Sequence, residues 1–428
     1  MDPSTHPADT SPHRTQTIAV LALALMLRLL AIGSTLANRP PQWIFAHGLE
    51  MGLLAKSLLD GQGLSSPFGT PTGPTAFIAP GYPILVAGIF RVFGVYSAGS
   101  AIAILLLHLT ASMVTVWLVL HVARKLFDAT TALIAGLIWA CSIPLLLAPT
   151  IFWDTSLSIC LLMGLIALAL RYQDGLSKSA WILLGVYCGF TALLNPALLF
   201  TLIAILGWLA WNTRSSSRWT PLLAVIAFTI VFSPWPIRNA RVFHAFIPLR
   251  TTVGFELWMG NHEGSTGFLQ ESLFPTYNPG ELAAYKTQGE LAYTQNKTRL
   301  AQLYIEQHPA TFLALTARRI FRFWTGTGTE GGSIFFPMHA ATTSLLGLIG
   351  LWLALRKRLK TGFLLAIPLL LFPTPYYLTH AEFRYRLAID PIVTVLAGYT
   401  LVTLVRRLSV PPAAPTTAER HPEQAVLG

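Results

Sequence analysis

The feature that most constrains this chain is the recurrence of apolar runs long enough to cross a lipid bilayer. They cover about residues 15–37, 99–123, 129–147, 151–171, 179–194, 196–212, 219–237, 338–356, 362–379 and 386–406. A helix needs roughly 20 residues to span the hydrocarbon core. Helices satisfy their own backbone hydrogen bonds there, where water cannot. Only 11% of the residues are charged and 53% are hydrophobic, against about 25% charged in an ordinary soluble domain. The sequence therefore predicts an all-α integral membrane protein with about ten transmembrane helices. Asn195-Pro196 separates the fifth and sixth runs, because proline removes a backbone donor and disfavours helix in the residue before it. The first run is long for a signal sequence and contains Arg28, so it reads as an uncleaved span.

The formal net charge is +11. That excess could signal nucleic acid in a soluble protein, but here it sits at span ends and fixes topology. Arg124-Lys125, Arg171 with Lys178, Arg214 with Arg218, Arg356-Lys357-Arg358 with Lys360, and Arg406-Arg407 all fall on one side of a ten-span arrangement. The positive-inside rule makes that side cytoplasmic, with both termini. This requires that Pro80–Val95 not cross. That stretch is short and opens Pro80-Gly81-Tyr82-Pro83, so it reads as a helix at the outer interface.

Residues 1–237 then form a membrane module with a first outer loop at 38–98. Residues 238–337 form an outer helical region, 338–408 the C-terminal spans, and 409–428, rich in Pro, Ala and Thr, a disordered cytoplasmic tail. A short helix is expected from Gly48 to Leu59. In the outer region Gly280 to Gln307 is rich in helix formers, and Pro309 opens a further helix. That helix carries Phe312, Leu315, Phe323 and Trp324 beside Arg318, Arg319 and Arg322, a composition suited to the headgroup layer.

Acidic residues number 18, so one beside an outer cavity is a functional candidate. Glu50 lies on the first-loop helix, and Asp154 stands at the outer start of a span. Glu50 also reads as a solvated interface residue, and Asp154 as a helix cap. Arg238 and Arg241 follow the seventh span beside Trp235 and read equally as snorkelling interface cations. Asn261 and His262 sit in a polar turn, and His262 with Glu263 is too small a set for a metal site. Arg384 and Arg386 flank Tyr385 just after Glu382. They stand on the outer side against the positive-inside trend, and arginine forks match phosphate oxygens. Pairing with Glu382 and lipid is the plainer account. Cys141, Cys160 and Cys188 lie in apolar runs and read as small buried residues. No Walker lysine, nucleotide-binding glycine loop or zinc-protease His-Glu-x-x-His pattern is present.

In order along the chain stand Glu50-Met51-Gly52 through Asp60-Gly61-Gln62-Gly63, Gly73-Pro74-Thr75-Ala76 with Pro80-Gly81-Tyr82-Pro83, and Trp153-Asp154. Pro234-Trp235-Pro236-Ile237-Arg238-Asn239 with Gly260-Asn261 follows, then Arg384-Tyr385-Arg386 with Pro391. With these motifs the chain resembles the bacterial polytopic (fold C) glycosyltransferases related to protein O-mannosyltransferases and the lipid A aminoarabinose transferase. The resemblance implies two juxtamembrane helices in the first loop, an outward-facing cavity and a bacterial inner-membrane location. It also implies a polyprenyl-phosphate sugar donor and a glycan, lipid or protein acceptor. Relatives often carry an Asp-Glu pair in the first loop, whereas here Leu49 precedes Glu50.

On that reading Glu50 is the base, and Asp154 a second acid that orients the acceptor or shares the role. Arg384 and Arg386 hold the departing phosphate, with Arg238 and Arg241 as further candidates and Tyr385, Asn261, His262 and Glu382 nearby. Membrane lipid is a partner and nucleic acid is not. No cofactor is called for, and a divalent metal is compatible with the chemistry. The competing readings are a transporter or flippase of a lipid-linked substrate, and a ligase that uses a lipid-diphosphate glycan donor.

Overall fold

The computed structural model describes residues 11–46, 48–173, 175–213, 219–327, 333–357 and 359–409. All of the expected tail at 409–428 beyond Ser409, and Arg214, Arg218 and Arg358, lie outside the described residues. The first half of the chain holds α1 (Ser11–Asn38), α2 (Leu49–Leu59), α3 (Gly81–Phe93), α4 (Ala98–Leu126), α5 (Ala129–Cys141) and α6 (Ile143–Leu147). It continues with α7 (Thr155–Tyr172), α8 (Lys178–Leu194), α9 (Leu199–Asn212), α10 (Leu222–Phe232) and α11 (Pro234–Phe243). Then follow α12 (Val253–Gly260), α13 (Pro279–Gln288), α14 (Glu290–Gln307) and α15 (Pro309–Thr325). The chain closes with α16 (Phe335–Arg356), α17 (Lys360–Leu371), α18 (Thr374–Leu378), α19 (Phe383–Arg386) and α20 (Asp390–Leu408). Among the described residues there is no β-strand, only isolated bridges Ser65–Pro74 and Phe268–Ala381.

Among the described residues six helices are long and apolar enough to cross a membrane, or up to eight if each of two bent pairs is one span. Proline accounts for both bends. The pair α5–α6 turns by 63° before Pro144, and α10–α11 by 42° at Pro234. The stretches 178–194 and 196–212 are shorter apolar helices, as is Gly81–Phe93.

Close helix packing rests on small residues, since apolar surface alone gives little drive for helices to associate in lipid. A Cβ on Gly350 of α16 would lie 2.3 Å from the Leu396 carbonyl oxygen of α20. One on Gly185 of α8 would lie 2.2 Å from the Ala224 carbonyl oxygen of α10.

The bundle has two distinct ends. Phe336 near the start of α16 and Leu387 just before α20 line one large cavity. The far ends of the same two helices gather Lys357, Arg406 and Arg407 with Asp128. Lys125 donates to the Leu170 carbonyl at 2.5 Å, and Arg406 to Asp128 at 2.7 Å. Lys125, Lys357, Arg406 and Arg407 therefore lie at one end of the bundle, and the cavity lies at the other.

The helix expected at Pro309 is α15, but its face differs from the expectation in one respect. Arg319 is buried rather than turned to headgroups. It donates to Gly260 O, Asn261 Oδ1 at 2.8 Å, Tyr377 O at 3.1 Å and Leu378 O at 3.0 Å. Free backbone carbonyls at the ends of α12 and α18 explain why a buried guanidinium is tolerated there. Glu290 plays a comparable part at the start of α14. Its carboxylate accepts from Ala76 N at 2.7 Å, Thr251 Oγ1 at 2.7 Å, Thr75 Oγ1 and Tyr285 OH. That joins the first loop to the region after α11.

Candidate active site

The cavity at the first end has a volume of about 970 Å³, at the upper end of the usual range for ligand sites. Three segments far apart in sequence bring candidate residues to its polar wall.

The first is the start of α2. Gly48 precedes it at φ 102°, and a Cβ there would lie 2.2 Å from the Phe152 carbonyl oxygen. Only glycine suits that conformation and that approach, so the first loop sits directly against the Phe152–Trp153 turn. Glu50 follows and lines the cavity. Its Oε1 accepts a 3.2 Å bond from the Thr276 hydroxyl. Burial pushes its carboxyl above the usual range, only partly offset by Thr276 and by Arg384.

The second is the turn before α7. Trp153 lines the cavity, and Asp154 is buried beside it. Asp154 stands at the cap position but makes no side-chain capping bond. Its Oδ2 instead accepts from Ser158 Oγ at 2.5 Å and Asn195 Nδ2 at 3.0 Å. The Asn195-Pro196 break thus delivers an amide to this carboxylate. Burial is the main influence raising the Asp154 pKa, opposed by Ser158, Arg384 and Arg250.

The third is the turn before α20. Arg384 pairs with Glu382 at 3.1 Å, and its guanidinium lies 4.7 Å from the Trp153 ring centre. Burial opposes its charge, but Glu382, Tyr385 and Asp154 outweigh that and raise its pKa. The Tyr385 ring stacks on Tyr376 at 4.4 Å, and its hydroxyl meets His380 Nε2 at 2.9 Å. The backbone of Ala381 bonds Gly267 O at 3.1 Å, which ties this turn to the outer region.

Of the residues singled out from sequence, Glu50, Glu382, Arg384 and Tyr385 line the cavity, with Asp154 buried beside it. Arg386 does not reach it. It is fully buried, paired with Asp390, and donates to Thr343 Oγ1 at 2.8 Å and Ser344 Oγ at 3.1 Å. Arg238 spends its donors on Thr75 O at 2.8 Å and Leu64 O at 2.9 Å, and Arg241 is exposed away from the cavity. Asn261 is buried against Leu257 O, Leu378 O and Arg319. His262 bonds Gln270 at 2.8 Å and stacks on Trp258. None of these five lines the cavity.

Sequence reading passed over several charged groups that do, among them Arg250, Glu256, Glu271 and Arg322. Arg250 lines the cavity with no hydrogen bond or ion pair among the described residues, and acts electrostatically on Asp154. It is held by its neighbour Thr251, bonded through its backbone to Ala76 O at 3.1 Å and through its side chain to Glu290. Glu256 lines the cavity on the otherwise apolar α12, 3.3 Å from His380 Nδ1. Burial keeps the His380 imidazole below its usual range, so the contact is not a fixed ion pair. The facing atoms, Glu256 Oε2 and His380 Nδ1, lack hydrogen-bond partners. A lone acid in an apolar segment is itself a signal, and Glu256 carried it. Arg250 had no comparable mark.

Among the described residues no group of three or more His, Cys, Asp or Glu could hold a metal ion. The cavity thus presents carboxylates and guanidiniums side by side, which suits a proton acceptor and an anionic leaving group.

Residues 78–237 match the family described as dolichyl-phosphate-mannose-protein mannosyltransferase. That region includes α3 and Asp154, while Glu50, Arg250 and Arg384 lie outside it. None of the curated proteins compared with the chain matches it. The fold is that of the Archaeoglobus fulgidus oligosaccharyltransferase in its apo form. TM-score is 0.55 at 13% identity, over 93% of this chain and 51% of that one. The archaeal oligosaccharyltransferase AglB from Archaeoglobus fulgidus, in complex with an inhibitory peptide and a dolichol-phosphate, gives 0.52 at 13% identity, covering 92% and 50%. This chain therefore spans about half the length of the archaeal enzyme. ArnT from Cupriavidus metallidurans bound to undecaprenyl phosphate gives 0.39 at 13% identity, covering 92% and 78%.

Proposed function

We propose that this protein is a membrane glycosyltransferase. It moves a sugar from a polyprenyl-phosphate carrier to an acceptor hydroxyl or amine, on the side of the membrane opposite its basic loops. The observation that carries the reading is one cavity that brings the half-buried carboxylate of Glu50 together with Arg384 and the unpaired Arg250. The mannosyltransferase family match and the oligosaccharyltransferase fold support it. So does the dolichol-phosphate held by the archaeal relative.

The acceptor hydroxyl attacks the anomeric carbon and gives its proton to Glu50. The bond between that carbon and the phosphate oxygen breaks, and polyprenyl phosphate leaves with the electron pair. A pKa raised by burial makes Glu50 a better base at neutral pH than an exposed glutamate. Arg384 and Arg250 meet the charge that grows on the phosphate. Asp154 is a positioning residue, fixed by Ser158 and Asn195, whose charge acts on both arginines. Glu256 adds a carboxylate to the cavity wall, with its Oε2 facing His380.

The test is incubation of purified protein with radiolabelled polyprenyl-phosphate sugars and a panel of acceptors, with and without EDTA. The expected result is acceptor-dependent release of free polyprenyl phosphate with label on the acceptor. Release only from polyprenyl-diphosphate glycans would replace this reading by the ligase. Translocation of intact donor across proteoliposomes without release would replace it by the flippase.

A further inference from the structure

A second cavity, of about 470 Å³, lies at the opposite end of the bundle and takes no part in the chemistry above. It forms where α4, α16 and α20 end together. Its wall carries three cations, Lys357, Arg406 and Arg407, and one acid, Asp128. Asp128 is already committed. Its Oδ1 caps α5 through Thr131 N at 2.8 Å, and its Oδ2 accepts from Arg406 at 2.7 Å. Lys357 and Arg407 have no acidic partner among the described residues. The floor is aromatic, with Phe127 stacked on Tyr399 at 3.9 Å and Lys357 5.4 Å from the centre of that ring.

Basic residues at helix C-termini ordinarily complement the helix dipole. That accounts for cations at span ends, but not for three of them around one recess with a single, occupied counter-charge. Just before these cations, the same two helices expose Trp352, Leu404 and Val405. A ligand with an anionic head and an apolar tail satisfies both surfaces at once.

We infer that this recess binds the phosphate headgroup of an anionic membrane phospholipid, with its acyl chains along α16 and α20. Lys357 and Arg407 supply the free donors, and Arg406, anchored by Asp128, completes the cradle. A juxtamembrane basic residue adds about 1 kcal/mol toward anionic lipid, so loss of two should weaken binding by roughly 10–30-fold. The inference does not depend on what the protein catalyses.

The test is native mass spectrometry of the delipidated protein titrated with phosphatidylglycerol, with phosphatidylcholine in parallel. The wild type should retain one tightly bound phosphatidylglycerol and discriminate against phosphatidylcholine. The variant K357Q/R407Q should lose that lipid by roughly tenfold or more while its melting temperature without lipid stays unchanged. K357A/R407A serves as the second variant if the first does not fold. The variant R171Q/K178Q removes two cations from the same end outside the recess and should bind as the wild type does. Equal loss in that control would reduce the effect to net charge and overturn the site. Retention of the lipid by both recess variants would also overturn it. Full displacement by millimolar inorganic phosphate would make it a free-anion site instead.

Discussion

Replacing Glu50 by Gln removes the carboxylate and keeps the shape. The amide oxygen can still accept the Thr276 hydroxyl, now at 3.2 Å, so the local structure has no reason to move. If Glu50 takes the acceptor proton, turnover falls by about 10²–10⁴-fold, or roughly 3–5 kcal/mol of transition-state stabilisation. Stability should move the other way. Burial raises the folded-state pKa of Glu50, so the folded protein holds this proton more tightly than the unfolded chain does. The ionised carboxylate therefore opposes folding above the folded pKa, and the penalty disappears as pH falls below the ordinary glutamate value of about 4.3. E50Q should melt no lower than wild type at neutral pH, with any advantage lost in acid. Wild-type kcat should fall on the acid side with a midpoint above the ordinary glutamate range. The assay is donor turnover against pH, with thermal unfolding in the same detergent. A folded E50Q with wild-type kcat refutes the assignment, and so does a loss of activity matched by a loss of stability.

Arg384→Lys and Arg250→Lys each surrender a planar fork while keeping the charge, and each should lower kcat/KM for the donor by roughly 10–100-fold, about one charge-assisted hydrogen bond. Arg386→Lys should lower the melting temperature and leave donor affinity intact, because its partners are Asp390, Thr343 and Ser344. Asp154→Asn can keep both bonds through its amide oxygen and should lose turnover but not stability. Asp154→Ala strands the Ser158 hydroxyl and should destabilise by about 1–3 kcal/mol, read by thermal unfolding. A cysteine-free variant carrying Gln270→Cys should react with an impermeant thiol reagent in intact spheroplasts. Labelling only after lysis would reverse the orientation.

The helical membrane architecture was legible because apolar run length and proline breaks are local signals. The helix at Leu49–Leu59 and the short helix Gly81–Phe93 followed from the same reading, helped by the requirement that the basic groups share one side. Part of the cavity lining was legible where chemistry was rare: Glu50, in a chain poor in acids, lines it. Arg386 falls outside the cavity for a physical reason. Its odd placement against the charge rule looked functional, yet Asp390 one helical turn later supplies the counter-charge. Arg238 also falls outside it, because backbone carbonyls of Thr75 and Leu64 take up its donors, and no sequence pattern announces such partners. Arg250 stayed hidden because its position depends on Thr251 meeting Glu290, residues that only the fold brings together.

The central claim is that a lipid phosphate reacts in the cavity between Glu50, Arg250 and Arg384. The most direct measurement is a cryo-electron-microscopy structure of the protein in nanodiscs with polyprenyl phosphate added. The account predicts phosphate density within hydrogen-bonding reach of the Arg384 and Arg250 guanidiniums, with the isoprenoid tail leaving toward the bilayer. Phosphate density only in the recess of Lys357 and Arg407, or on Arg238 and Arg241 with the cavity vacant, would contradict it.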